Sequence, residues 1–130
     1  MINKTLQIAF VSGALAVALG AFGAHALRSL LTEQQLHTYN TGVQYHFYHT
    51  IALAITGVLK LHFSHRFLRY AGILFTTGLF LFSGSLYAMS FLKAAGIDDM
   101  NWLGAITPLG GVCFIAAWIC LLIAAGKIRK

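Results

Sequence analysis

Charge is what this chain has least of. Only 9% of its residues are charged, and three acidic residues stand against nine Lys and Arg. A soluble domain carries about 25% charged residues, so these few cannot coat a water-facing surface. The acids, Glu33, Asp98 and Asp99, fall in connectors between apolar runs. The histidines of the apolar runs therefore lack a carboxylate neighbour, and no serine sits in a nucleophile elbow. That removes the catalytic triad, and the chain is expected not to be an enzyme. Cysteine is scarce too. Cys113 and Cys120 lie seven positions apart, about 10.5 Å along a helix, whereas a disulfide needs Cα atoms within about 7 Å. With no CxxC pattern, both read as small buried hydrophobes. The basic residues are scattered over short connectors rather than gathered on one face, which excludes nucleic acid as a partner.

Apolar sequence fills the space that charge leaves. The chain is 58% hydrophobic with a mean hydropathy of +0.77, and its length suits a single domain. A spanning helix needs about 20 apolar residues, and four runs approach or exceed that, at 6–27, 43–61, 70–92 and 102–126. The expected fold is an all-α, four-helix bundle in a membrane. The first run resembles a signal peptide only superficially. It is longer than the usual apolar region of about 7–15 residues, and three more runs follow. Within it Ser12, Ala16, Gly20 and Ala24 recur every four residues, a small-residue stripe that lets a second helix approach closely.

The first connector holds a capping box, with Thr32 as N-cap and Gln35 three positions on, and Leu31 and Leu36 placed for a hydrophobic staple. A short interfacial helix is expected here, ending at a break near Asn40-Thr41-Gly42. In the second connector His62 and His65 stand among Lys60, Arg66 and Arg69. They read as a basic membrane-surface patch, with a metal pair as the other reading. Gly96 is placed to stop the third helix. Before the fourth, Thr107 reads as an N-cap with Pro108 at the first helical position; a proline kink is the alternative. Gly110 and Gly111 then relieve crowding or leave an anion-binding helix end.

Four runs put both termini on one side. The N-terminus, second connector and C-terminus carry seven basic residues (Lys4, Lys60, Arg66, Arg69, Lys127, Arg129 and Lys130), and the other connectors only Arg28 and Lys93. Basic residues stay in the cytoplasm, so the expected orientation is N-in and C-in.

The stretch Gly42-Val-Gln-Tyr-His-Phe-Tyr-His-Thr50 concentrates polar groups in an apolar run. Polar side chains in a bilayer usually face a protein interior or a water-filled cavity. Counting about 1.5 Å per residue from the outer ends of the runs puts His25, His46, His49, Ser85, Tyr87 and Thr107 within about 3–10 Å of the outer surface. With Tyr45 they form the candidate ligand-binding set. His49, the deepest histidine, is expected to bond Ser85, Tyr87 or Thr107 across the bundle. Interhelical polar bonding is worth only about 0.6 kcal/mol per pair and is the leading reading. It makes the chain a structural or accessory membrane protein with an outward-facing polar pocket. A small membrane ligand, quinone or lipid headgroup, is the alternative. Metal, haem held by His25 with His46 or His49, and transport rank behind it. No cofactor or metal is assigned. The expected partners are the bilayer and, as an open choice, other membrane proteins or copies of the chain.

Gly20-Ala-Phe-Gly-Ala-His-Ala-Leu27, Tyr45-x-x-x-His49, Phe82-Ser-Gly-Ser-Leu-Tyr87 and Leu103-Gly-Ala-Ile-Thr-Pro-Leu-Gly-Gly111 together resemble the YgdD/YwdK family of small four-span bacterial membrane proteins. The likeness covers nearly the whole chain. It implies the four-span architecture and a cytoplasmic-membrane location, and it supplies no reaction. His25 and His49 fall within its motifs, whereas His46 stands where that pattern implies glutamine.

Overall fold

The computed structural model describes residues 3–127. Helix α1 is Lys4–His25, and α2 is Glu33–His62. The third long helix is built from α3 (Arg66–Gly78), a π-helical turn (Leu79–Ser83) and α4 (Gly84–Ala94). A 3-10 turn at Asn101–Ala105 leads into α5, Ile106–Lys127. The four long helices run antiparallel in sequence order. Asn3 Nδ2 donates to the Gly57 carbonyl at 2.8 Å, joining the start of α1 to the end of α2. Gly42 lies against Leu86 and Tyr87, and Gly78 against Phe114. Among the described residues the all-α bundle is the whole architecture, and three helices are long and apolar enough to cross a membrane: Lys4–His25, Arg66–Ala94 and Asn101–Lys127. Helix α2 has the length, 30 residues, but its polar residues dilute its hydropathy.

The helix starts and stops follow local chemistry. Thr32 Oγ1 accepts from the Gln35 N–H at 3.3 Å, and Gln35 Oε1 accepts from the Thr32 N–H at 3.0 Å. The capping box is therefore in place, and Leu31 and Leu36 pack in one apolar cluster beside it. What it starts is not a short helix. Helix α2 runs unbroken through Asn40, Thr41 and Gly42. Thr41 satisfies its hydroxyl on the His37 carbonyl, and the bare Gly42 accepts the Tyr87 ring, whose Cε1 would stand 3.3 Å from a Cβ there. Packing overrides weak local propensity. At the end of α4, Gly96 adopts φ 78°. Its N–H bonds the Lys93 carbonyl and that of Ile97 bonds Leu92, a Schellman stop.

Thr107 is not an N-cap. Helix α5 begins at Ile106 out of the 3-10 turn, so Pro108 occupies its third position, inside the first turn where no N–H is required. Gly110 serves close packing: a Cβ there would fall within 2.8 Å of the Phe82 Cα.

The main apolar core joins Ala9, Ala52, Leu53, Ala71, Phe75, Leu79, Phe114 and Ala117, drawn from every long helix. Helix α2 packs on α1 and on the third long helix, which in turn packs on α5. Helix α1 lies along α2 through Thr5, Ala9, Ser12, Ala16 and Gly23, all buried. The expected stripe holds at Ser12 and Ala16, and at Gly20 against Val43. Ala24 is exposed and Gly23 replaces it, with Tyr39 packed on its Cα. A strict four-residue repeat drifts about 40° per step around a helix of 3.6 residues per turn, so it leaves the seam after three steps.

Candidate functional site

Three of the polar sites hold residues expected to form the candidate set. The first is a four-member chain. Ser12 Oγ lies 3.0 Å from His46 Nε2 and 2.6 Å from Thr50 Oγ1, and His46 Nδ1 lies 2.9 Å from the Tyr87 hydroxyl. This chain ties α1 to α2 and α2 to α4, with His46 only 7% exposed. The second place is His49, 6% exposed. Its Nδ1–H donates to the Tyr45 carbonyl at 2.7 Å within its own helix. Its ring lies flat on Phe114 of α5, with centroids 3.5 Å apart and planes 3° apart. The third is Ser85, whose hydroxyl meets Thr107 Oγ1 at 2.6 Å.

His49 therefore points inward and touches the fourth long helix, as expected, but its contact there is a stack. None of Ser85, Tyr87 and Thr107 is its hydrogen-bond partner. The cross-helix partner belongs to His46. Tyr45 stacks on Phe82, with centroids 4.6 Å apart. His25, at the end of α1, is exposed.

The single outer layer dissolves for a reason that can be traced. Depth counted from residue 43 ignores that α2 begins ten residues earlier. His46 bonds Ser12, and Ser12 is about 20 Å along α1 from His25. His25 and His46 therefore cannot flank one haem iron. Ser12, expected only as part of the small-residue stripe, bonds two side chains of α2.

Beside the His46 chain lies a cavity of about 570 Å³. One wall is the stripe Ile8, Val11, Leu15 and Leu19 of α1; the other is Thr76, Leu79, Phe80 and Gly84 of the third helix. Gln7, Ser12, His46, Ser83 and Tyr87 complete the lining. Two contacts frame it. A Cβ on Gly72 would stand 3.5 Å from Thr5 Cγ2, so α1 and α3 meet at one end. Phe22 and Phe91 meet edge to face at 5.8 Å at the other. Between these contacts the helices part, and the space is a window with exposed Val11, Leu15 and Phe80 on its margins. The π-helical turn puts Leu79, Phe80 and Ser83 on this wall. Such turns arise where an extra residue re-aims a helix face and recur at functional sites. Ser83 Oγ anchors the turn to α2 by donating to the Gly42 carbonyl at 2.8 Å.

Sequence reading missed Thr50 and Ser83, and it placed Ser12 only in a packing stripe. The available signal was Ser12 itself, a hydroxyl in the middle of a run too apolar to spare one without a partner.

A bundle of long apolar helices with buried polar links defines the class, an integral membrane protein. Its family follows from comparison. Residues 19–111 match the model for "Protein of unknown function (DUF423)", and the chain belongs to this family. It is 44% identical over 118 residues to the UPF0382 membrane protein YwdK of Bacillus subtilis, covering 90% of this chain and 91% of that one. A UPF0382 membrane protein of Haemophilus influenzae is 38% identical over 130 residues, 100% of this chain and 99% of its own length. The UPF0382 inner membrane protein YgdD of Escherichia coli K12 is 31% identical over 125 residues, 96% and 91% of the two chains. No solved structure matches.

Proposed function

We propose that this protein crosses the bacterial cytoplasmic membrane four times, with both termini inside, and holds a small apolar membrane molecule in the window between α1 and the third helix. The observation that carries the reading is the window itself. Its walls are mainly aliphatic and aromatic, with Gln7 and Thr76 among them, its volume of about 570 Å³ falls within the range of ligand cavities, and its margins are apolar side chains. An apolar molecule seated between the two walls makes van der Waals contact with both helices at once. The molecule enters sideways from the lipid, because the Thr5–Gly72 and Phe22–Phe91 contacts frame the two ends.

The test is mass spectrometry of what co-extracts with the purified protein. Leu15→Trp should fill the window and deplete one class of bound molecule relative to wild type. Identical extracts from the two proteins would refute a ligand site.

A structural or accessory role is the second reading. One observation favours it: among the described residues, no fully buried side-chain nitrogen or oxygen lacks a hydrogen-bond partner. On that reading the His46 chain is interhelical glue and the window holds ordinary lipid tails.

A further inference from the structure

Four groups in a row, Thr50, Ser12, His46 and Tyr87, are joined by three contacts. Each hydroxyl brings one hydrogen, and a neutral imidazole brings one N–H. Three links use three of the four hydrogens, so one hydroxyl hydrogen is always left over at an end of the chain. When donation runs from Tyr87 through His46 and Ser12, the spare hydrogen is on Thr50. The Thr50 hydroxyl bonds Ser12, and among the described residues no carbonyl takes that spare hydrogen. When donation runs the other way, the spare hydrogen is on the Tyr87 hydroxyl, and the imidazole proton sits on Nδ1 instead of Nε2.

The two ends differ in what they can reach. Tyr87 lines the window, with Ser12 and His46, and Thr50 does not. The Tyr87 end is therefore where a molecule in the window meets the chain. A purely hydrocarbon occupant has no acceptor to offer, and the buried phenol then keeps its bond to His46. An occupant with a carbonyl oxygen can take the Tyr87 hydrogen, and every remaining link is still satisfied with donation reversed. All three links hold in either direction, and an acceptor from outside at the Tyr87 end uses the fourth hydrogen.

We infer that the window's ligand is an apolar molecule bearing a carbonyl, held by the Tyr87 hydroxyl, and that its binding selects the Nδ1–H form of His46. This rests on the reading of the window as a ligand site. Two sources share the chemistry, a membrane quinone and a glyceride ester.

The experiment uses the full chain in dodecyl maltoside, a detergent without carbonyls, with decylubiquinone and dioleoylglycerol as probes. Binding is measured with infrared difference spectra of the probe carbonyl and ¹⁵N spectra of the His46 ring. At least one probe should bind, with its carbonyl stretch moved to lower wavenumber and the His46 proton moved from Nε2 to Nδ1. Whichever probe shows both names the source. Tyr87→Phe should weaken that probe about tenfold and abolish the carbonyl shift, and Leu15→Trp should exclude it. A probe excluded by Leu15→Trp but bound equally by Tyr87→Phe, with an unshifted carbonyl, overturns the inference and leaves the window standing. If neither probe binds while Leu15→Trp still depletes a co-extracted molecule, the carbonyl is wrong and the ligand site is not. If neither probe binds and the extracts match, both fail. The wild-type spectra decide the matter even where Tyr87→Phe does not fold.

Discussion

Adjacent glycines at the start of α5 should respond to the same substitution with opposite signs. A Cβ at Gly110 would stand 2.7 Å from Phe82 Cβ and 2.8 Å from Phe82 Cα. One of those atoms is backbone, so no rotamer change relieves the contact, and α5 must retreat by roughly half an ångström or more. A gap of about 0.5–1 Å forfeits a quarter to a half of each van der Waals contact along the seam. That seam carries Phe114 on Gly78 and Phe82 against Phe114. Overpacking costs about 1–3 kcal/mol, here toward the upper end, offset by about 1 kcal/mol of helix propensity gained over glycine. Gly110→Ala should therefore lose about 2 kcal/mol. At Gly111 the nearest atom to a Cβ is a Phe82 ring carbon at 3.9 Å, ordinary contact, so Gly111→Ala should gain up to about 1 kcal/mol from propensity alone. Unfolding of the purified variants in mixed dodecyl maltoside and SDS micelles, followed by far-ultraviolet circular dichroism, measures both. A Gly110→Ala protein as stable as wild type, or two variants that shift together, would refute the close approach of α5 to the π-helical turn.

Three further outcomes are expected. His46→Leu strands the Tyr87 hydroxyl and should cost about 1–3 kcal/mol, while His46→Gln, with a donor and an acceptor on one amide, should stay within about 1 kcal/mol of wild type in the same unfolding assay. His49→Phe keeps a ring on Phe114 and gives up only a bond to its own helix, so it should destabilise less than His46→Phe; the opposite order would show that His49 has a cross-helix polar role. In a background with Cys113 and Cys120 replaced by alanine, Gln34→Cys and Asp98→Cys should react with an impermeant thiol reagent in intact cells and Ser64→Cys should not, and the reverse pattern would overturn the orientation.

Much of the fold was legible because a bilayer leaves few choices. Long apolar runs in a chain with hardly any charge have to become helices, since every backbone group must be satisfied internally. Local chemistry also set the capping box at Thr32 and the stop at Gly96, because both are contests among a few neighbouring atoms. The sequence likewise marked 42–50 as the stretch to watch, since polar groups in an apolar run need partners. Which partners they take is a property of helix registry. That α2 runs on through Gly42 from its cap at Thr32 was decided by packing there, and the ten added residues carried His46 from the expected outer layer to the level of Ser12. The proline in the first turn of α5 depends on the 3-10 turn before it. The π-helical turn depends on how Leu79–Ser83 meets α2 and α5. The window between α1 and the third helix follows from where two helices part. Composition and local sequence determined that this chain is a bundle of membrane helices with buried hydroxyls and imidazoles. Only tertiary structure decided that His46, not His49, links three helices beside an open cavity, because a rotation or slide of one helix against another changes every such pairing while leaving each helix's own sequence satisfied.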